Sequence, residues 1–331
     1  MEGWSLSTFQ QLFRKGRSLL SAVPAPSVEA KVLLLEAARI GEVEWLASPN
    51  RRVSKREEIR YLRLIERRLS GIPLAYITGK KEFWSLSLRI MPGVLIPRPE
   101  TELTVEKTLE LAGRRNPTIV DIGTGCGNIA LALAKELPRA RIFATDVSAR
   151  ALRNAELNAR DHGLGNVNFV RGSLFSALRG LGLEAKCDFV VSNPPYVSAA
   201  DWETLPAEVK NHEPRRALVG GETGLEFIRR LVKGSPAFLR PGGCLLFEVG
   251  EGQAGQAIAL LTQTRSVSAR CNCEQHSDEA IPLSCREIAS VAPLPRNDSL
   301  SKSSVSIRYF RDVESFKDLR GITRVIQARR V

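Results

Sequence analysis

The segment Asp121-Ile122-Gly123-Thr124-Gly125-Cys126-Gly127 follows a strand-like run, Thr118–Ile122, and leads into a helix-like one, Ile129–Glu136. Glycine at alternate positions lets a backbone turn sharply and approach a ligand without Cβ clashes. A nucleoside cofactor can then lie over the strand ends. No Gly-Lys-Ser/Thr follows, which excludes a Walker-type phosphate loop. Asp146 closes the next strand-like run, in Ala144-Thr145-Asp146-Val147-Ser148. A carboxylate there can accept hydrogen bonds from both hydroxyls of a ribose. It can also cap the helix that begins near Ala149. On these residues alone, NAD and S-adenosylmethionine fit equally well.

Ser192-Asn193-Pro194-Pro195-Tyr196, at the end of the strand-like run Asp188–Ser192, separates the two. A conjugated amino group is a poor nucleophile because its lone pair is delocalised. An Asn oxygen and the next carbonyl can accept its two N–H bonds, aim the lone pair at an electrophile and favour the charge that develops on nitrogen. Two prolines hold that carbonyl rigidly, and the Tyr ring can stack on a planar amide or base. An NAD enzyme has no use for this tetrapeptide here. Glycine loop, acid and Asn-Pro-Pro-Tyr together resemble a class I S-adenosylmethionine-dependent methyltransferase acting on a planar nitrogen. DNA adenine, RNA base and glutamine methyltransferases share the tetrapeptide, so it does not choose among them.

Three flanking segments do choose. The first is Gly71-Ile72-Pro73-Leu74-Ala75-Tyr76-Ile77-Thr78-Gly79 with Glu82-Phe83-Trp84 and Pro92-Gly93-Val94-Leu95-Ile96-Pro97-Arg98-Pro99-Glu100-Thr101-Glu102. The second is Glu213-Pro214-Arg215-Arg216-Ala217-Leu218 with Gly220-Gly221 and Gly224-Leu225. The third is Asp318-Leu319-Arg320-Gly321-Ile322-Thr323-Arg324-Val325-Ile326. Together they resemble the HemK/PrmC family, the peptide chain release factor glutamine methyltransferases, over nearly the whole chain. The resemblance implies methylation of the side-chain amide of the Gln in the Gly-Gly-Gln motif of class 1 release factors. It implies that Gly123, Thr124, Gly125, Cys126 and Gly127 contact the methionine part of the cofactor, that Asp146 binds its ribose, and that Leu174 lies near its adenine. It makes Asn193 a contact of both cofactor and substrate, with Pro194, Pro195 and Tyr196 completing the catalytic glutamine site and the Arg98-Pro99-Glu100 loop walling the same cleft. The transfer it implies is a direct in-line displacement, with no metal and no nucleophilic residue. The chain departs from the family's usual residues at Ser173, where an acid is usual, at Leu174, often Trp, and at Glu251, commonly Tyr. The alternative, a DNA or RNA amino-methyltransferase, lacks a recognisable target-recognition domain.

The elements that must place these residues follow from periodicity. Residues 1–74 carry apolar residues at helical spacing, with Ser27 and Ser54 as candidate caps, and are expected to form a small helical domain. Residues 75–96 are expected to be a β-hairpin linker, with Ala75–Gly79 and Phe83–Leu88 as strands around a turn at Gly79-Lys80-Lys81. Residues 97–331 alternate strands and helices, which predicts an α/β domain with a mostly parallel sheet, and Thr101 is read as a helix cap. Residues 265–307 break the pattern: rich in Ser, Asn and Pro, they are expected to be a disordered insertion. Residues 266–307 are expected to be dispensable, because such a loop adds little closure entropy. The last two strands are expected at Tyr309–Phe316 and Thr323–Ala328.

Composition sets the limits. A 331-residue chain with 43% hydrophobic and 25% charged residues is globular rather than disordered. No apolar run reaches the roughly 18 residues of a membrane helix. The net charge of +12, from 48 basic and 36 acidic residues, admits either a solvated basic surface or a phosphate-rich partner. The resemblance makes a release factor the partner, with direct nucleic-acid binding and membrane association not expected and a monomer expected. Cys126, Cys187, Cys244, Cys271, Cys273 and Cys285 form no C-x-x-C pair and match no zinc spacing. That usage and the missing secretory segment lead to the expectation of a reduced, cytoplasmic protein.

Overall fold

The computed structural model describes residues 7–113, 115–263, 265–268 and 304–331, with 265–268 and 304–307 described by backbone alone. The N-terminal helices are α1 (Phe9–Leu19), α2 (Pro26–Ala38), α3 (Glu42–Ala47) and α4 (Lys55–Leu69). Phe9, Leu12, Leu33, Leu34, Tyr61 and Ile65 bury their apolar faces in one cluster. The α4 cap is read correctly from sequence: the Ser54 hydroxyl accepts from the Glu57 amide while Glu57 reaches back to the Ser54 amide. Ser27 is not a cap. Ala25 is the flanking residue and Pro26 takes the first helical turn, where its missing N–H costs nothing.

The linker differs from expectation. Leu74–Thr78 is a short helix, α5, ended by Gly79 at φ 74°. Ala75, Tyr76 and Ile77 are all buried, the first two in a core against the large sheet and Ile77 in the cluster of the N-terminal helices. A helical turn can bury three consecutive side chains at such a junction; a surface strand exposes every second one. The hairpin is therefore later and tighter, with β1 (Lys80–Phe83) and β2 (Leu86–Arg89) joined at Trp84 and Ser85, both at positive φ as a two-residue hairpin turn requires. It docks on the helix Ala149–Asp161: the Asn158 and Asn154 side chains accept from the Arg89 and Met91 amides at 2.7 and 2.8 Å.

The C-terminal part begins with α6 (Glu102–Ala112) and alternates β3 (Thr118–Ile122), α7 (Asn128–Glu136), β4 (Arg141–Asp146), α8 (Ala149–Asp161), β5 (Val167–Arg171) and β6 (Cys187–Ser192). A short excursion holds β7 (Val197–Ser198), α9 (Ala199–Thr204), α10 (Ala207–His212), α11 (Arg215–Leu218) and β8 (Val219–Gly221). Then come α12 (Glu226–Gly234), β9 (Leu239–Glu248) and α13 (Ala254–Thr262). β10 (Arg265–Ser268) pairs antiparallel with β11 (Ser304–Ile307), so the ends of the predicted insertion are a paired ladder rather than loose chain. Its remainder, with Cys271, Cys273 and Cys285, lies outside the described residues. β12 (Phe310–Lys317) and β13 (Thr323–Arg330) complete the fold close to the expected bounds.

Seven strands form one sheet in the order β12-β13-β9-β6-β3-β4-β5. β9, β6, β3, β4 and β5 are parallel, and β13 and β12 add antiparallel at one edge. Alternate residues feed opposite faces: Ile119 and Val191 enter one core, Val120 and Val190 the other. Both faces being covered explains why these strands read as continuous apolar runs. The chain order reverses between β3 and β6, the place where open parallel sheets bind ligands beyond their carboxyl ends.

The two domains are joined by charge as well as by α5. The Arg68 side chain, 5% exposed, pairs with Glu29 of α2 and with Glu208 of α10 at 2.9 Å. Arg68→Met leaves Glu29 buried without its counter-charge. The expected result is a loss of about 3 kcal/mol of stability, the low end for a broken buried pair, measured as a lower urea midpoint.

Candidate functional site

Four neighbouring parallel strands end on the same side of the sheet. β3 runs into the glycine loop, β4 ends at Asp146, β6 runs into Asn193 and β9 ends at Glu248. The loop is folded back on β4 by the Gly123 and Thr124 amides, which donate to the Thr145 carbonyl at 2.8 and 2.9 Å. Gly123 and Gly125 have φ of 78° and 57°, a region costly for other residues. A Cβ built on either meets no protein atom within 4 Å, so the space beside them is open for a ligand.

Asp146 binds the loop rather than capping α8. Its Oδ2 accepts from the Gly125 amide at 3.0 Å and its Oδ1 from the Ser148 amide at 2.8 Å. Ser148 is the cap, accepting from Ala151. Burial raises the Asp146 carboxyl, and the amides of Ser148, Gly125 and Val147 hold it down. A carboxylate has about four acceptor sites, so two bonds leave room for a pair of ribose hydroxyls. Gly93, Val94, Leu95, Leu174, Arg216 and Phe227 line the same cleft as Asp146. Leu174 sits at φ 48°, a strained conformation for Leu that a tightly shaped site can hold.

Asn193 and Pro195 line the same cleft. The Asn193 Nδ2 donates to Thr101 Oγ1 at 2.9 Å, which leaves its Oδ1 as the acceptor for the cleft. Thr101 lies ahead of α6, where a cap was expected, but its hydroxyl makes no cap bond. It donates instead to Glu248 Oε2 at 2.7 Å, and the Tyr196 hydroxyl donates to Glu248 Oε1 at 3.0 Å. Burial raises the Glu248 carboxyl, while the Thr101 and Tyr196 hydroxyls and then Arg324 hold it down. Burial and the Glu248 charge in turn push the Tyr196 phenol up.

The Pro194-Pro195-Tyr196 backbone is gripped from behind. A Cβ on Gly220 would lie 2.3 Å from the Pro195 carbonyl oxygen, and one on Gly224 2.2 Å from that of Tyr196. Only glycine permits this approach. Gln253 Nε2 donates to the Tyr196 carbonyl at 2.8 Å, and the Ser192 hydroxyl donates to the Ile122 carbonyl at 2.7 Å, joining the ends of β6 and β3.

The three flanking segments meet around this cleft. Arg98 pairs with Glu213 at 2.6 Å, Glu213 also accepts from the Ile96 amide, and Arg320 pairs with Glu100 at 2.8 Å. Of the residues expected in the site, Gly123, Gly125, Asp146, Leu174, Asn193 and Pro195 line this cleft; Thr124, Cys126, Gly127, Pro194 and Tyr196 do not line it, and the Cys126 side chain is buried in the core. Sequence reasoning missed the role of Thr101 and missed Glu248 altogether. A signal existed for the second: Glu248 interrupts the apolar run Cys244-Leu245-Leu246-Phe247 and Val249, and is 1% exposed. Among the described residues, no group of three His, Cys, Asp or Glu converges as a metal requires.

Two family profiles match the chain: the methyltransferase small domain over residues 101–210 and the PrmC N-terminal domain over residues 11–79. The chain is 44% identical over 249 residues to the release factor glutamine methyltransferase of Moorella thermoacetica, covering 75% of this chain and 86% of that one. It is 40% identical over 261 residues to the protein of that name from Nitratidesulfovibrio vulgaris, covering 78% of this chain and 88% of the other. The corresponding figures for the Coxiella burnetii protein of the same name are 38% over 246 residues, 74% and 86%.

Asp121, ahead of the glycine loop, is fully buried, and neither carboxylate oxygen has a hydrogen-bond partner among the described residues. Burial pushes its carboxyl up to about 7; Thr124 and the Ala130 amide oppose this without closing a bond of normal geometry. The folded chain therefore keeps a proton that an unfolded Asp releases near pH 4. Stability from such a group is complete below the unfolded value and is lost as pH rises through the folded one. Asp121→Asn removes that slope. Between pH 5 and pH 8 the cofactor-free wild type should lose roughly 2–3 kcal/mol relative to the variant, read from urea unfolding at both pH values. Parallel stability curves would show Asp121 already ionised.

Proposed function

This chain belongs to the release factor glutamine methyltransferase family, and on that premise we propose that Asn193, Pro194, Pro195 and Tyr196 receive the target glutamine. The protein is an S-adenosylmethionine-dependent methyltransferase that modifies a glutamine side chain of peptide chain release factors. S-adenosylmethionine, when bound, supplies an electrophilic methyl group. Gly123, Thr124, Gly125, Cys126 and Gly127 would hold its amino-acid part, Asp146 its ribose hydroxyls, and Leu174 would contact its base. The Asn193 Oδ1 and the Pro194 carbonyl accept the two N–H bonds of the glutamine amide. The nitrogen lone pair is then turned toward the methyl group, and the charge that develops on nitrogen meets acceptors already in place. The nitrogen is acidic once methylated, so its proton can leave afterwards without a dedicated base.

The observation that carries this reading is the direction of the Asn193 amide: its donor end is engaged by Thr101 and its acceptor end is left for the cleft. The helical domain, residues 1–74, is the substrate-recognition domain, gripping a class 1 release factor away from its Gly-Gly-Gln loop. The groove between the domains supports this, with Glu29 and Glu36 on one side and Arg98 and Glu213 on the other. The compartment assigned is the cytoplasm, where translation ends.

Mass spectrometry of a release factor after incubation with enzyme and cofactor tests the reading. One added methyl group is expected on the glutamine of its Gly-Gly-Gln motif. Asn193→Ala should slow that reaction about a hundredfold or more without unfolding the protein. Near-normal methylation by the variant would remove Asn193 from its role. Asp146→Ala should weaken cofactor binding by roughly 2–3 kcal/mol, the worth of lost charge-assisted hydrogen bonds, and calorimetry measures this directly.

A further inference from the structure

We propose that Glu248 is a positioning residue: through Thr101 it sets which end of the Asn193 amide faces the cleft, and directly it holds the Tyr196 hydroxyl. The inference rests on the reading of Asn193 as the acceptor for the glutamine amide.

An amide side chain is nearly symmetric in shape, and its two ends have opposite hydrogen-bonding character. Asn193 can therefore occupy its place in two ways, and only one presents an acceptor to an incoming N–H. The difference must come from its neighbour. Thr101 Oγ1, fully buried, has a single proton. That proton goes to Glu248 Oε2 at 2.7 Å, and the other Glu248 oxygen takes the Tyr196 hydroxyl at 3.0 Å, so both oxygens act as acceptors. Thr101 is then left as an acceptor, and it takes the Asn193 Nδ2 at 2.9 Å. The acceptor oxygens at the end of β9 thus set the polarity of a two-bond relay that ends at the cleft. The second carboxylate oxygen does the same for Tyr196.

The surroundings of Glu248 argue against a plain structural ion pair. Its hydrogen-bond partners among the described residues are these two hydroxyls. Arg324, across the β9–β13 pairing, is engaged by Asp318 at 3.0 Å. A carboxylate kept 1% exposed with only hydroxyls on it is costly to bury, and both hydroxyls lead to residues of the glutamine site. In Glu248→Gln one acceptor becomes a donor. If the new donor faces Thr101, the Thr101 proton turns to Asn193 and the amide flips. If it faces Tyr196, the phenol loses its acceptor. Either way one residue of the site is mis-set while the shape is kept.

The experiment measures release-factor methylation and cofactor affinity for Glu248→Gln, Thr101→Val, Thr101→Ser and Asn193→Ala. Glu248→Gln and Thr101→Val should each lower kcat about tenfold to a hundredfold, the usual scale for a lost orienting partner. Cofactor affinity and KM for the release factor should stay within about threefold of wild type, since ground-state binding is not what is lost. Thr101→Ser keeps the hydroxyl and should retain kcat. The inference is overturned if folded Glu248→Gln or Thr101→Val turns over like wild type, if Thr101→Ser is as impaired as Thr101→Val, or if the losses appear as weakened cofactor binding. Should Glu248→Gln fail to fold, the Thr101 pair decides alone. Asn193→Ala keeps the two readings apart. If it is inactive while Thr101→Val is active, only the positioning role falls; if it is active, the assignment of Asn193 itself falls.

Discussion

The parallel pairing of β3 with β6 is the constraint on which the rest of the molecule depends. Ile119, Val120 and Asp121 lie beside Phe189, Val190 and Val191 in register, and the apolar residues among them are buried on both faces of the sheet. A one-residue slip would exchange the two faces. Because the chain order reverses between these strands, no crossover helix covers their carboxyl ends. The glycine loop and the Asn-Pro-Pro-Tyr segment therefore emerge side by side into open space, and the Ser192 hydroxyl ties the two exits together.

Rigidity of the Asn-Pro-Pro-Tyr segment comes from several weak constraints that act on the same few atoms. Two prolines limit the backbone. Gly220 and Gly224 let a second segment press against its carbonyls, and Gln253 holds the Tyr196 carbonyl from behind. Preorganised acceptors need no reorientation as charge develops, which makes them more effective than solvent. The loop around Arg98 and Glu100 is braced on one side by Glu213 and on the other by Arg320. These braces join parts of the chain more than a hundred residues apart, so the cleft is formed by the completed fold and by no single segment of it.

The hairpin and helical domain extend the same frame. Asn154 and Asn158 of α8 hold the backbone at and just after the end of β2, ahead of Gly93, Val94 and Leu95, which line the cleft with Asp146. Arg68 links the helical domain to α10, shortly before Glu213. The helical part is thereby held in a defined relation to the cleft.

Local chemistry was legible in the residues themselves. The glycine loop, Asp146 and Asn-Pro-Pro-Tyr carry their chemistry in consecutive positions, and the alternation of apolar runs with helical stretches determined the α/β class. The Ser54 cap and the last two strands were readable for the same reason, since neighbours in sequence make those structures. What the tertiary structure decided involves partners distant in the chain. Ala75–Thr78 became helical because two cores claim adjacent side chains, a demand that local propensity does not contain. Thr101 has the local appearance of a cap, yet its proton goes to a carboxylate 147 residues away. Glu248 was visible only as an odd charge in a buried strand, and its role depends on β9 lying next to β6 in the sheet. A hydrogen bond acts over about 3 Å, and only the assembled sheet brings these groups that close.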